Sequence, residues 1–321
     1  MLAVAATSFS TDDPLSGLRV GDVPEPTPNP GWVVVEVKAA TLNHHDLWSL
    51  RGVGLKPEQL PMILGCDAAG VDERGDEVVV HGVVSDPDWR GDETLDPQRS
   101  LLSERYPGTL ARRVAVPARN LVPKPPELSF EEAACLPTAW LTAYRMLFTK
   151  ARAQPGSTVL VQGVGGGVST ALVLLGKAVG LRVWVTSRSE EKRARALELG
   201  AERAFEPGQR LPERVDAVME TVGASTWSHS VKSLREGGSL VICGATSGDG
   251  PPAELRYIFF RQLSVLGSTM GTREELERLL RLCVGSGIRP LIDDVMPLAE
   301  ARRGFEALLA GDVFGKIVFM V

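Results

Sequence analysis

The chain has 321 residues, 44% hydrophobic and 23% charged, with a formal net charge of −5. That length suffices for two domains with a core each, and an acidic chain without a local Lys/Arg run offers no footprint for nucleic acid. No stretch approaches the ~18 apolar residues of a membrane span, and Cys66, Cys135, Cys243 and Cys283 lie far apart without a C-x-x-C, which excludes a disulfide framework and a zinc knuckle.

In chain order, the first residues (MLAVAATSFSTDD) lack the basic region of a signal peptide, so a reducing cytoplasm is the expected setting. Up to about residue 122 the chain is rich in Pro, Gly and Val, with β-type runs at Trp32–Val37, Glu77–His81 and Arg113–Val116. Turn residues separate these runs, which predicts a strand-rich domain of mostly antiparallel pieces. A Pro-rich connection over 117–129 leads to Ser129, three before Glu132, a capping box opening a helix at Phe130. From about 157 the texture alternates. Strands are predicted at Thr158–Gln162, Arg182–Thr186, Val215–Met219, Ser239–Cys243 and Leu263–Leu266, and helices at Gly167–Val179, Glu190–Leu199 and Arg273–Val284. Such βαβ repetition implies a parallel sheet covered by helices on both faces. After Pro290 a strand–helix–strand texture ends in KIVFMV, 316–321.

Within that second region, TVLVQGVGGGVST (158–170) runs from a strand through glycines into a helix. Gly165, Gly166, Gly167 and Val168 are thereby placed to receive a pyrophosphate on backbone N–H groups at a helix N-terminus. A strict G-x-G-x-x-G fails at Val168, and counting back from the helix end puts the small Ser169 at the third glycine position. An NAD site usually has Asp or Glu at the end of the second strand to hold the ribose 2′-hydroxyl. Here that strand ends in Thr186-Ser187-Arg188-Ser189, with Lys192 a turn on; these groups suit a 2′-phosphate, so NADPH is the expected cofactor.

TLNHHDLW (41–48) concentrates His44, His45 and Asp46 in a chain with four histidines. A metal site, an acid–base pair and a polar loop all fit that composition. Adjacent residues of an extended segment point to opposite faces, which disfavours a metal on both histidines.

With ILGCDAAG (63–70), GTLA (108–111), the glycine loop, SRSEEK (187–192) and GKIV (315–318), this stretch resembles the medium-chain dehydrogenase/reductase superfamily over essentially the whole chain, and most closely its zinc-independent quinone oxidoreductase-like branch. The resemblance implies an α/β fold: a GroES-like β-rich catalytic domain plus a Rossmann domain with a doubly wound parallel sheet. The expected boundaries are 1–123 and 289–321 for the catalytic domain and 124–288 for the Rossmann domain, with an active site in the cleft and a homodimer. The zinc ligands of the family's alcohol dehydrogenases fall here on Asn43, Cys66 and Thr138, of which only Cys66 is a good ligand, so no metal is expected. By the same resemblance Asn43 lies near the nicotinamide or the substrate oxygen. His44 or His45 donates a proton, Asp46 is grouped with them as a catalytic candidate that orders the loop, Trp48 and Tyr257 line a substrate pocket, and Thr142, Gly244 and Lys316 join the cofactor site. Without a metal, quinones and α,β-unsaturated carbonyls are the expected small-molecule substrates, because conjugation delivers charge to an oxygen that hydrogen-bond donors stabilise. The alternatives are a zinc-type alcohol dehydrogenase and a dinucleotide-binding protein without turnover.

Overall fold

The computed structural model describes residues 1–321. The chain forms two compact units, Met1–Leu141 with Met270–Val321, and Thr142–Thr269.

The first unit is organised around the strand Trp32–Thr41. Along it Val35, Val37 and Ala39 are buried while Glu36 is exposed and Lys38 half-buried, the two-residue alternation of a sheet with one face in the core. The sheet runs in the order Leu121–Pro123, Glu77–Val80, Asp67–Asp72, Trp32–Thr41, Lys316–Met320, Ile292–Pro297, and Arg113–Pro117 adds to the central strand. Its pairings are antiparallel except that of Ile292–Pro297 with Lys316–Met320. A core including Val35, Leu50, Leu64, Leu110, Phe305 and Phe319 fills the unit. Register positions the site. Thr41 pairs with Asp67 on one side and with Val318 on the other, so just beyond the strand end Asn43 comes opposite Lys316.

The second unit holds a six-stranded, all-parallel sheet in the order Arg203–Phe205, Arg182–Thr186, Thr158–Val161, Val215–Glu220, Leu234–Ile242, Ser264–Gly267. Chain order reverses on either side of Thr158–Val161, the switch point at which open α/β sheets bind ligands. The helix Gly167–Ala178 lies close to this sheet at Gly176, where an added Cβ would stand 2.5 Å from Val183 Cγ2. Leu160, Trp184, Val218 and Leu240 are among the core residues.

The unit boundaries differ from the expected 123/124 and 288/289. The helix Phe130–Ala134 packs on the strands Trp32–Thr41, Asp67–Asp72 and Lys316–Met320, and the helix Arg273–Ser286 packs on Leu121–Pro123. Polar ties hold the latter segment: His81 Nε2 meets the Gly271 carbonyl at 2.9 Å, and Arg273 donates to the Leu121 carbonyl at 3.0 Å. The change of texture near residue 157 marks the start of βαβ repetition. It does not mark the unit boundary, because helices on both sides of that point look alike in sequence.

Candidate active site

Asn43 is the N-cap of the helix His44–Leu50, and Asp46 reaches back so that its Oδ2 accepts from Asn43 N–H at 2.9 Å. Asp46 Oδ1 accepts from Gly65 N–H at 2.8 Å, tying this helix to the ILGCD turn. Burial pushes the Asp46 carboxyl up, against the lowering pull of His45 and of these two N–H donors. Asp46 is therefore a brace for the loop.

Freed from capping, the Asn43 side chain joins a buried network. Its Nδ2 donates to Asp67 Oδ2 at 2.7 Å and its Oδ1 accepts from Lys316 Nζ at 2.7 Å. Lys316 Nζ also donates to the Leu42 carbonyl at 2.8 Å and lies 3.3 Å from Asp67 Oδ2. Asp67 Oδ2 further accepts from Thr41 Oγ1 at 2.7 Å, whereas Asp67 Oδ1 is buried without a protein partner. Lys316 and Asp67 are 3% and 0% exposed, and a buried pair of this kind holds only when its remaining donors and acceptors are met. Lys316 was expected to join the cofactor site; the contacts of its ammonium here are to Leu42, Asn43 and Asp67 within the first unit. Sequence reading missed Asp67 as a site residue; the available signal was a carboxylate inside the apolar run MILGCDAAG.

The two histidines part company. His44 is exposed, yet crowding by surrounding protein, and then the charges of Lys316 and Arg51, lower its pKa. His45 is half-buried, with Nε2 3.2 Å from Ser103 Oγ. Ser103 is fully buried in the left-handed region (φ 71°), a costly conformation for a residue with a side chain. Its hydroxyl also lies 3.6 Å from Cys66 Sγ, and the Cys66 thiol donates to the Leu102 carbonyl at 3.2 Å. Burial, followed by the negative charge of Asp46, raises the Cys66 pKa well above the ordinary thiol range.

In the second unit the glycine loop follows the central strand. Gly163 and Gly165 take φ of 76° and 134°, and a Cβ on Gly165 would stand 3.0 Å from Lys192 Cδ, so the lysine chain lies over this turn. Gly166 caps the helix without a side chain, which leaves the N–H groups of Gly167 and Val168 to an anion at the positive end of the helix dipole. Ser169, at the third-glycine position, secures the turn from inside the helix, its Oγ accepting from Gly165 N–H at 3.1 Å. Ser187 and Arg188 follow the second strand, Ser187 buried and Arg188 exposed. Gly244 lies against Thr221 across the loops after two neighbouring strands, and Thr142 is buried at the start of the unit. Gln162 and Glu220, both fully buried, escaped the sequence reading. Gln162 Oε1 accepts from Thr186 Oγ1 at 2.8 Å, and Thr186 Oγ1 in turn accepts from Gly163 N–H at 3.1 Å. Glu220 Oε1 receives the N–H groups of Val222 and Gly223, which shapes the loop beside Gly163. These residues stand at strand ends, where a polar group after an apolar run was the visible signal.

The aromatic assignments fare differently. Trp48 is half-buried, with the Arg51 guanidinium 5.0 Å from its ring centre. Tyr257 packs on the core of the second unit, and Lys232 and Arg261 stand 5.5 and 5.2 Å from its ring centre.

A β-rich unit carrying the Asn43–Asp67–Lys316 network and a doubly wound unit with a glycine turn define a dehydrogenase-type architecture. Family models agree: "Alcohol dehydrogenase GroES-like domain" matches residues 29–126 and "Zinc-binding dehydrogenase" matches 167–285. The acryloyl-coenzyme A reductase of Metallosphaera sedula is 30% identical, with 94% of this chain and 96% of that protein covered. Among solved structures, an NAD-dependent alcohol dehydrogenase superposes with a TM-score of 0.91 at 36% identity over 100% of both chains. The 2-octenoyl-CoA carboxylase reductase CinF, in complex with NADP and 2-octenoyl-CoA, superposes with a TM-score of 0.92 at 27% identity, covering 99% of this chain and 87% of that one. The chain belongs to the medium-chain dehydrogenase/reductase superfamily.

The name of one matching family raises the question of zinc, and the donor set does not fit it. The Asn43 amide is committed to Lys316 and Asp67, and Cys66 is a buried thiol held protonated. Thr138 Oγ1 is a neutral, buried oxygen, and no group of three or more His, Cys, Asp or Glu side chains converges as a metal site.

Proposed function

We propose that this protein is an NADPH-dependent oxidoreductase that reduces a carbon–carbon double bond conjugated to a carbonyl, in an enone, a quinone or a 2-enoyl thioester, without zinc. The observation that carries this reading is the state of the expected zinc-ligand positions: Asn43 is committed to a buried network with Lys316 and Asp67, and Cys66 is a buried thiol kept in its protonated form. The names of the acryloyl-coenzyme A reductase and of the octenoyl-CoA enzyme support the substrate class.

The cofactor fits the second unit. Gly165–Val168 receive the pyrophosphate, and Ser187, Arg188 and Lys192 receive the 2′-phosphate of the adenine ribose. When bound, NADPH supplies the hydride. Addition at the carbon β to the carbonyl shifts an electron pair onto the carbonyl oxygen, and a proton at the α-carbon completes a two-electron reduction. In a metal-free site the developing oxyanion needs fixed donors, each removal of which typically costs about 100- to 1000-fold in kcat. Asn43 is that donor here. His45 is assigned the proton, because Ser103 fixes its ring, whereas His44 is held toward the neutral form.

A homodimer is proposed through the edge strand Ser264–Gly267. This strand ends the parallel sheet with Val265 exposed, and Leu255, Phe259 and Phe260 beside it are 68%, 69% and 78% exposed. An open edge flanked by apolar side chains is a template for a second copy of the chain. No helix is long and apolar enough to cross a membrane, and the four cysteines are free, which supports a reducing, cytoplasmic setting.

The test pairs elemental analysis of the purified protein with an NADPH-consumption panel of quinones, enones, 2-enoyl thioesters, aldehydes and alcohols. NADPH oxidation by conjugated acceptors without stoichiometric zinc is expected. Stoichiometric zinc with alcohol-dependent NAD reduction would instead establish the alcohol dehydrogenase reading, which the 36%-identical structure favours.

A further inference from the structure

We propose that Lys316 and Asp67 are positioning residues that lock the Asn43 carboxamide in a single flip and polarise it, so that its remaining Nδ2–H is a fixed, strengthened donor to the substrate oxygen. This inference rests on the reductase reading for the identity of the acceptor, but the lock itself can be read without turnover.

The orientation of an amide is settled when its neighbours are one-sided. Lys316 Nζ only donates, so the amide atom 2.7 Å from it is the oxygen. Asp67 Oδ2 sits within hydrogen-bonding distance of three donors, Thr41 Oγ1, Asn43 Nδ2 and Lys316 Nζ, so the amide atom facing it is the nitrogen. Turning the amide over would set an N–H against an ammonium and a carbonyl oxygen against a carboxylate. Both contacts would be repulsive at a place where Lys316 and Asp67 are almost wholly shielded from water.

The lock leaves one Nδ2–H uncommitted, on a residue 9% exposed that stands beside the exposed His44. An ammonium at the amide oxygen withdraws electron density from the nitrogen and makes that N–H a better donor. Positive charge is thus passed to the substrate oxygen through a neutral group. The helix cap contributes too. Because Asp46, and not Asn43, supplies the side-chain half of the cap, the Asn43 side chain is available for this work.

The test compares Asn43→Ala, Lys316→Met and the double variant. Lys316→Met is expected to lower kcat about 10- to 100-fold, part of the loss that removing an oxyanion donor causes, while the Kd of NADPH stays unchanged. In the double variant kcat is expected to fall no further than in Asn43→Ala alone, because Lys316 acts through Asn43. Additive losses, or a raised Kd for NADPH with kcat retained, would overturn the proposal. Selective 15N-asparagine labelling of the wild-type protein reads the lock directly and needs no variant to fold. Unequal exchange with water is expected for the two Nδ2 hydrogens of Asn43, slow for the one bonded to Asp67 and faster for the uncommitted one, whereas rapid, equal exchange of both overturns the lock. If the wild-type protein reduces no conjugated acceptor, the reductase reading falls and the amide signals alone decide the lock. Lys316→Arg, which keeps the charge, is expected to retain the slow exchange that Lys316→Met loses; loss of it in both variants counts against the charge-based lock.

Discussion

Replacing Lys192 by Met and Arg188 by Ala tests the cofactor assignment where it is most exposed to error, since one closely similar structure is described as NAD-dependent. Lys192 is half-buried, with its chain over the Gly165 turn, and Arg188 is exposed after the second strand. A hydrogen bond to a charged group contributes about 1.5–3 kcal/mol, and an exposed charge pair about 0.2–1 kcal/mol after screening. At 1.4 kcal/mol per tenfold, Lys192→Met is expected to weaken NADPH about 10- to 100-fold and Arg188→Ala at most about 5-fold. NADH, which carries a hydroxyl at the same position, is expected to lose markedly less in both variants. Titration of each dinucleotide by quenching of protein fluorescence, at low and at physiological salt, measures this. The double variant also flattens the salt dependence for NADPH, because the charges being screened are gone. Equal weakening of NADPH and NADH would refute the reasoning and assign Lys192 to the pyrophosphate, which its place over Gly165 permits.

Asp46→Ala leaves the buried N–H groups of Asn43 and Gly65 without their acceptor, at about 1–3 kcal/mol each, and a urea midpoint unchanged from wild type would contradict the bracing role. Ser103→Gly removes the hydroxyl facing His45 yet suits the left-handed backbone, so stability is expected to hold within about 1 kcal/mol while the rate of enone reduction falls; an unchanged rate would discard the His45–Ser103 assignment. Burial lowers the pKa of His81 from its ordinary 6.5, with Glu93, Arg273 and Glu275 as charged neighbours. The unfolded chain then binds more protons than the native one, and stability is lost as pH falls through about 6.5, by up to about 1.4 kcal/mol per unit. Urea unfolding of His81→Gln at pH 7.5 and 5.5 is expected to show a smaller loss than wild type. Phe260→Asp places a charge on the apolar edge patch and is expected to yield monomers by light scattering, whereas wild-type protein that is already monomeric removes the dimer proposal.

Most regular elements of the second unit were legible because local signals agreed there. Arg182–Thr186 and Glu190–Leu199 occur with the expected ends, and the strand and helix flanking the glycine loop follow the pattern closely. The glycine turn was legible for the same reason, being one continuous segment. The Asn43 site was legible only in half. The loop Asn43–Asp46 announces itself by composition, but Asp67, Ser103 and Lys316 reach it through strand register and a buried turn. Register depends on pairing between segments far apart in sequence, which periodicity within any one segment cannot reveal. Tyr257 illustrates the converse: its packing on the second unit's core, with Lys232 and Arg261 near its ring, leaves no mark that sets it apart from any other aromatic in sequence.

The pairing of Lys316–Met320 with the central strand also bears on biosynthesis. The hydrogen bond from Lys316 to Asn43 spans 273 residues, and that to the Leu42 carbonyl spans 274. On a ribosome, the Asn43 loop therefore emerges long before the ammonium that orients it, whereas the glycine-loop unit, Thr142–Thr269, is contiguous and can fold while the chain is still growing. Dinucleotide binding is thus expected to mature first, and Asn43 to acquire its fixed geometry only in the finished polypeptide. A nascent or prematurely terminated chain would accordingly hold cofactor before it has a competent electrophile.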